Sequence, residues 1–334
     1  MATIVSIITP SFNRADIVHE TAESIFNQTY PHWEWIIVDD GSTDDTWKLL
    51  EGYAANDSRV KIAKRSREPK GACTCRNTGV DIASGEYVMF LDTDDLIEPF
   101  CLQNRVDSML AHPELDFGIF PSLMFSKKPH DLNLWWNTDK PVSELKRQFY
   151  QDAIAQGTGI LIKKESFIKV GKWDEQLHLW QDIDLFFRLY IQGYQYRKFF
   201  QLPPDLHNRV NEKSLSRSSF LTWEKLKSRI AVVKNTVALL KQYQKTEFIT
   251  EARYMLAEIV SGLARTGRFT EAGDFVNWGK EEKVISAHEM NLLKNYMMYY
   301  RFKLYKIPFL KFMENRVYKE LSVENTLGKL KYQS

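Results

Sequence analysis

The feature that most constrains this chain is a rhythm in its first 95 residues, where short apolar runs alternate with polar turns and stretches of helical periodicity. Ile4 to Ile8, Trp33 to Val38, Val60 to Ala63 and Tyr87 to Leu91 read as strands, the third a shorter one. Ile4 to Ile8 is a continuous aliphatic run of the kind buried on both faces of a parallel sheet, and Tyr87 to Leu91 reads as a buried strand. Between them, residues from about 15 to 28, 44 to 54 and 74 to 83 read as helices, with Thr43 or Asp44 able to cap the second. Strand, turn and helix in that order are βαβ units, so the chain is expected to be α/β with a largely parallel sheet covered by helices.

In open sheets of this kind, ligands sit beyond the carboxyl ends of the strands. Three such ends carry polar residues here: Thr9 to Arg14, Asp39 to Ser42, and Asp92 to Asp95. The last is the most informative. Carboxylates crowded at 92, 94 and 95 repel one another and are costly to desolvate, so they need donors, cations or water. Mg²⁺ or Mn²⁺, held by one or two carboxylates and completed by substrate phosphates, would satisfy them. The plainer reading is that Asp94 or Asp95 caps a helix starting at Leu96 with Pro99 in its first turn.

Further on, Pro99 to Ala111 reads as a helix, Asp116 to Phe120 and Gly157 to Ile162 as strands, and Lys164 to Val170 as a helix. The stretch 126 to 141 is irregular and contains Trp135 and Trp136, which suit either sugar stacking or core packing. Ile183, Phe186, Phe187 and Tyr190 fall at helical spacing, which puts Asp182 at a helix N-terminus. There it is either a cap or a carboxylate aimed into a cleft.

Bulk properties exclude some classes. A net charge of +2 in 334 residues gives no electrostatic footprint for nucleic acid. The three cysteines, Cys73, Cys75 and Cys101, have no zinc-site spacing and fit reduced thiols of a cytosolic protein. No signal-peptide pattern and no apolar run near the roughly 20 residues of a membrane helix is present, so a cytoplasmic protein is expected, with any membrane contact peripheral.

Taken in order, these segments resemble the family 2 glycosyltransferases, over about residues 3 to 218. Ile8-Thr9-Pro10-Ser11-Phe12-Asn13-Arg14 is similar to the family's opening strand and turn, and Val38-Asp39-Asp40-Gly41-Ser42-Thr43-Asp44 to its nucleoside-binding strand end. Lys70 to Gly79 resembles its donor loop and helix, with Cys73 and Cys75 where small residues are usual. Phe90-Leu91-Asp92-Thr93-Asp94-Asp95 is similar to its DxD signature, and Gly171-Lys172-Trp173-Asp174-Glu175 and Gln181-Asp182 follow.

The resemblance implies a GT-A fold, a Rossmann-like mixed sheet flanked by helices, and inverting hexosyl or N-acetylhexosaminyl transfer from a nucleotide sugar, with UDP the expected nucleotide. By resemblance, Thr9, Pro10 and Phe12 line the nucleobase pocket and Asp40 accepts from the base. Arg14, Lys70, Arg76 and Thr93 lie at the donor, Asp92 contacts ribose or sugar, Asp94 ligates Mn²⁺ or Mg²⁺, and Asp182 is the general base. The acceptor implied is a glycan or a lipid-linked saccharide. Two departures stand out. Gln181 replaces the usual Glu beside the base, and Asn211 stands where a histidine is common in a loop, 208 to 216, that would close over the diphosphate with Arg209 and Lys213. His207 reads as a lone surface histidine. A sugar nucleotidyltransferase and a non-catalytic glycan-binding module are the rival functions.

After about residue 219 the pattern becomes helical: 223 to 243, 246 to 265, 270 to 278 and 286 to 305. The expected division is a catalytic domain over 1–218 and a helical region over 219–334 that covers it or mediates homo-oligomer formation. The tail from Tyr299 to Lys319 mixes Lys and Arg with aromatic residues, which suits either a docking helix or an anionic membrane surface.

Overall fold

The computed structural model describes residues 3–210, 221–307 and 320–321. The first half follows the expected alternation: β1 (Val5–Ser11), α1 (Val18–Phe26), β2 (Trp33–Asp39), α2 (Thr46–Asn56), β3 (Val60–Lys64), α3 (Ala72–Ile82) and β4 (Tyr87–Phe90). Then come β5 (Leu96–Ile97), α4 (Cys101–Leu110), β6 (Phe117–Ile119), β7 (Ser122–Phe125), β8 (Leu134–Trp135), α5 (Glu144–Phe149), β9 (Ile160–Lys163) and α6 (Lys164–Lys169). α7 (Gln181–Gln192), β10 (Tyr196–Lys198) and β11 (Leu206–Arg209) complete the sheets, and α8 (Trp223–Gln242), α9 (Arg253–Arg265), α10 (Phe269–Glu281) and α11 (Ala287–Arg301) follow.

The main sheet has seven strands in the order β10-β6-β9-β4-β1-β2-β3. β1 to β4 are mutually parallel, while β9 runs antiparallel to both β4 and β6. The sheet is therefore mixed. Alternation along each strand splits the apolar residues between two cores. Ile8, Ile36, Val88 and Phe90 face one, and Ile7, Ile37, Met89 and Leu91 the other, all of them fully buried. Burial on both faces is why these strands are written as continuous apolar runs.

A second sheet, β5-β11-β7-β8, stands beside the first. Its pairing explains two departures from the sequence reading. The chain after Asp95 enters β5, and α4 begins only at Cys101, so neither Asp94 nor Asp95 caps a helix. Trp135 lies in β8 rather than in an irregular loop. Two further segments form 3₁₀ turns where strand or α-helix was expected, Gly157–Gly159 before β9 and Thr246–Ala252 before α9.

The helical region shares the core of the main sheet. Leu226, Val232, Met255 and Leu293 belong to the same apolar cluster as Phe117, Phe186 and Leu189. Polar contacts reinforce the junction: the Tyr150 hydroxyl donates to Glu251 at 2.9 Å, Lys146 pairs with Glu251 at 3.2 Å, and Arg229 lies 4.5 Å from the Trp180 ring. In the tail, Tyr299 is fully buried, whereas Phe302, Tyr305 and Ile307 are exposed. The remainder of the Tyr299 to Lys319 segment, from 308, lies outside the described residues.

Candidate active site

The carboxyl ends of β1, β2 and β4 meet over the top of the main sheet, as parallel register requires. Ser11 pairs with Asp39, and Ile8 with Phe90, one step before the acid turn. The turns after β1 and β2 are laced together. The Asn13 amide donates to Ser42 Oγ at 2.9 Å, the Thr43 amide to Asn13 Oδ1 at 2.8 Å, and the Arg14 amide to Thr46 Oγ1 at 2.7 Å. Asp39 holds its own turn by accepting from the Gly41 and Ser42 amides, and Gly41 supplies the left-handed φ of 84° that this turn needs.

The residues expected at the nucleobase fall into two groups. Phe12 is 39% exposed, with Lys70 Nζ 3.8 Å from the centre of its ring and Pro10 half-buried beside it in the chain. Thr9 is different and corrects the expectation. It is fully buried, and its hydroxyl accepts from the Trp35 indole at 2.9 Å, so it supports the wall from inside the core. Asp40 is nearly buried and carries an ion pair to Arg65 Nε at 2.5 Å. The Cys75 thiol of α3 also hydrogen-bonds its carboxylate.

The acid turn is clamped from below by β11. Asp95 is buried and accepts from Asn208 Nδ2 at 2.8 Å and from the Arg209 amide at 2.9 Å, while Arg209 Nε donates to the Asp94 carbonyl at 3.0 Å. Burial, with the negative charges of Asp92 and Asp94, pushes the Asp95 carboxyl well above the usual range. Arg209 also pairs with Glu20 at 2.7 Å, so its guanidinium positions the acid turn from β11. Asn211 and Lys213 of the expected closing loop lie outside the described residues.

Asp92 and Asp94 emerge above this clamp, each half-buried, with Thr93 buried between them. Asp92 pairs with Arg76 Nη2 at 2.6 Å. Asp94 accepts no side-chain or amide hydrogen bond from another described residue. Desolvation and the nearby Asp92 raise its pKa, offset in part by the charges of Arg14 and Arg209. An acid held in this condition, beside a second one, fits a hard divalent cation with oxygen ligands.

Across from these acids, Asp182 sits in the first turn of α7 and accepts from the Gly157 amide at 2.8 Å. Gly157 is glycine for a steric reason: a Cβ there would lie 2.9 Å from the Trp173 ring and 3.3 Å from Asp182 Oδ1. Desolvation raises the Asp182 pKa, the Arg76 charge and the Gly157 hydrogen bond oppose that rise, and Asp92 adds to it. Arg76 therefore stands electrostatically between Asp92 and Asp182. The loop bearing Trp173 is fixed by Asn77 of α3, which donates to the Trp173 carbonyl and to Glu175 and accepts from the Trp173 amide.

Two groups escaped the sequence reading. Asp95 was placed among metal or capping acids, whereas it is the anchor of the turn. His207 was read as a surface histidine, whereas it is buried in β11 and contacts Glu98 at 2.7 Å. The only sequence signal for either was alternation within a four-residue strand, Leu206 to Arg209, which is too short to read.

Comparison with known proteins agrees with this architecture. The profile of Glycosyl transferase family 2 matches residues 6–171, and that of Glycosyltransferase like family 2 matches residues 136–253. The glycosyltransferase GlyG of Streptococcus pneumoniae is 29% identical over 185 residues, 51% of this chain and 60% of that protein. The UDP-Glc:alpha-D-GlcNAc-diphosphoundecaprenol beta-1,3-glucosyltransferase WfaP of Escherichia coli is 41% identical over 106 residues, 32% of this chain and 41% of that protein. The chain thus spans about two fifths to three fifths of these relatives.

Among solved structures, S. aureus TarS in complex with UDP-GlcNAc superposes with a TM-score of 0.59 at 15% identity, covering 90% of this chain and 88% of that one. The mannosyltransferase PcManGT from Pyrobaculum calidifontis, in complex with GDP-Man and Mn²⁺, superposes with a TM-score of 0.51 at 19% identity, covering 94% and 84%. Both likenesses are of fold. The two profile matches and the mixed sheet with its acid turn lead to one assignment: this chain belongs to glycosyltransferase family 2.

Proposed function

We propose that the protein is an inverting, metal-dependent glycosyltransferase that moves a sugar from a UDP-linked donor to a hydroxyl of a glycan or lipid-linked saccharide in cell-surface polysaccharide assembly. The observation that carries this reading is the convergence of Asp92, Asp94, Arg76 and Asp182 at one end of the sheet, with Arg76 paired to Asp92 at 2.6 Å and charge-coupled to Asp182. Relatives named for UDP-glucose and a diphosphoundecaprenol acceptor support the donor and acceptor classes.

In this reading Phe12, Pro10 and Asp40 hold the base, and Lys70 lies beside Phe12. Asp94, with Asp92 beside it, would hold Mn²⁺ or Mg²⁺, which when bound supplies charge stabilisation on the leaving phosphate oxygens. Arg14, which makes no ion pair among the described residues, adds positive charge on the same side. Asp182 takes the proton of the acceptor hydroxyl as its oxygen bonds to the anomeric carbon. The bond from that carbon to the phosphate oxygen breaks on the opposite face, and the nucleoside diphosphate leaves with its electron pair. A single displacement of this kind inverts the anomeric centre. The raised pKa of Asp182 suits the role, because a base nearer neutrality accepts the proton more readily.

A panel of UDP-sugars with Mn²⁺ and a lipid-linked saccharide tests this directly. Transfer with stoichiometric UDP release and an inverted linkage is the expected result. Pyrophosphate release would instead identify a nucleotidyltransferase, and donor binding without turnover a glycan-binding module.

A further inference from the structure

A second cluster of ligating side chains lies below the acid turn, on the face of the small sheet. Glu98 follows β5, His207 belongs to β11, and His130 comes from the loop between β7 and β8. Their donor atoms all lie within 4.8 Å of one another. Glu98 Oε1 is 2.7 Å from His207 Nε2 and 3.4 Å from His130 Nε2, and the two imidazole rings meet edge to face at 4.7 Å. Hydrogen bonding by His207, opposed by burial and joined by His130, lowers the Glu98 pKa.

We infer that Glu98, His130 and His207 form a second divalent-metal site, selective for Zn²⁺ or a similar nitrogen-binding ion and separate from the Asp92–Asp94 pair. Two imidazoles and one carboxylate are a donor set suited to Zn²⁺, whereas the all-oxygen set of the acid turn suits Mn²⁺ or Mg²⁺. The spacing is close to what is needed. A tetrahedral ion with bonds of about 2.0–2.1 Å separates its ligand atoms by roughly 3.4 Å. The His130–Glu98 pair already stands at 3.4 Å, and the His207–Glu98 pair at 2.7 Å needs to open by less than about 1 Å.

Burial makes the site asymmetric. The His207 side chain is 2% exposed and fixed by its strand, Glu98 is 25% exposed, and His130 is 51% exposed on a loop. A metal entering from the loop side would recruit His130 last and pin residues 126 to 133 against the small sheet. Within that loop Asp131 already accepts from the Ser126 and Lys127 amides, so the segment moves as a turn of defined shape. In the metal-free protein the 2.7 Å contact with Glu98 puts the proton on His207 Nε2, while Nδ1 is buried without a hydrogen-bond partner among the described residues, so a metal bound at Nε2 would take the place of that proton. The missing acceptor on Nδ1 also predicts an affinity lower, by roughly 10- to 100-fold, than that of sites whose histidines are supported from behind.

The test uses the whole chain, stripped with a chelator and titrated with Zn²⁺ and, for spectroscopy, Co²⁺. One equivalent of Zn²⁺ is expected to bind to the wild type and to Asp94→Asn alike, with Co²⁺ giving visible bands of low-symmetry nitrogen and oxygen coordination. His130→Ala, at an exposed loop position that leaves the fold intact, and Glu98→Gln are each expected to weaken binding by a factor on the order of 100. Zn²⁺ should slow trypsin cleavage after Lys127 and Lys128 in the wild type and not in His130→Ala. The inference is overturned if the wild type binds no Zn²⁺, if His130→Ala and Glu98→Gln bind it as well as the wild type, or if Asp94→Asn alone abolishes binding.

Discussion

The two ends of the main sheet hold acids in opposite conditions. At the amino end, Glu34 of β2 is buried and fully engaged: it accepts from Ser6 Oγ and Lys61 Nζ at 2.5 Å each, from the Ser84 amide at 2.6 Å and from Ser84 Oγ at 2.9 Å. Burial alone would raise its pKa, yet the hydrogen bonds from Lys61, Ser6 and Ser84 outweigh burial and bring it down to about 2. At the carboxyl end, desolvation raises Asp94, Asp95 and Asp182 instead. Glu34 ties the starts of β1, β2, β3 and β4 together, and its charge is compensated within the fold. The acids at the carboxyl end are left short of compensation, which costs stability in the free protein; under the proposed function a cation or the acceptor's proton would recover that cost.

Exchanging the carboxylates for amides at the two ends should separate these roles. Asp182→Asn is expected to reduce glycosyl transfer by about 10²- to 10⁴-fold, the usual range for loss of a general base, while the melting temperature stays level or rises because an unfavourably buried charge has gone. Measured donor affinity should change little. If Asp182→Asn unfolds the chain, the carboxyl end of the sheet is built for stability and the contrast fails.

Glu34→Gln should do the reverse, leaving turnover intact well below the melting temperature and lowering stability by up to about 3 kcal/mol by denaturant titration. The sign follows from the lowered folded-state value. Above the ordinary carboxylate value of 4.5 the contribution is fully present, and it is lost as pH falls through about 2. The variant should therefore lose the steep part of the acid-denaturation profile in that window. An unchanged profile would mean that Glu34 does not dominate acid sensitivity.

The same contrast shows what was legible in the sequence. β1, β2 and β4 were readable because burial on both faces leaves a nearly continuous apolar run, and the positions of Asp92 and Asp94 after a strand and of Asp182 at a helix start were readable because each stands next to such a run or to a helical period. Contacts closed by the fold itself were not. Asp95 is held by Asn208 across 113 positions, and no local pattern announces that partner. The antiparallel course of β9 was hidden because its apolar residues read the same in either direction. The small sheet was missed because strands of two to four residues carry too little alternation to register, and with it went the burial of His207. Thr9 was placed at the nucleobase by family resemblance, whereas the Trp35 indole claims its hydroxyl from the core side.

The smallest expected effect is the most specific. Arg76 is the cation shared by the two halves of the proposed site: it pairs with Asp92, and its charge opposes the desolvation that raises Asp182. Replacing it with Met removes that opposition and also frees the Asp92 charge, which itself raises Asp182. Both changes act in one direction, so the Asp182 pKa rises further. Since only the carboxylate form can accept the proton of the acceptor, the acid limb of the kcat/KM profile should move to higher pH in Arg76→Met. Arg76→Lys, which keeps a positive charge, should leave the limb closer to its wild-type position even if donor binding weakens. A limb that stays in place in Arg76→Met would mean that Arg76 serves the donor alone, and that the base is governed by burial and the Gly157 amide without help from the neighbouring cation.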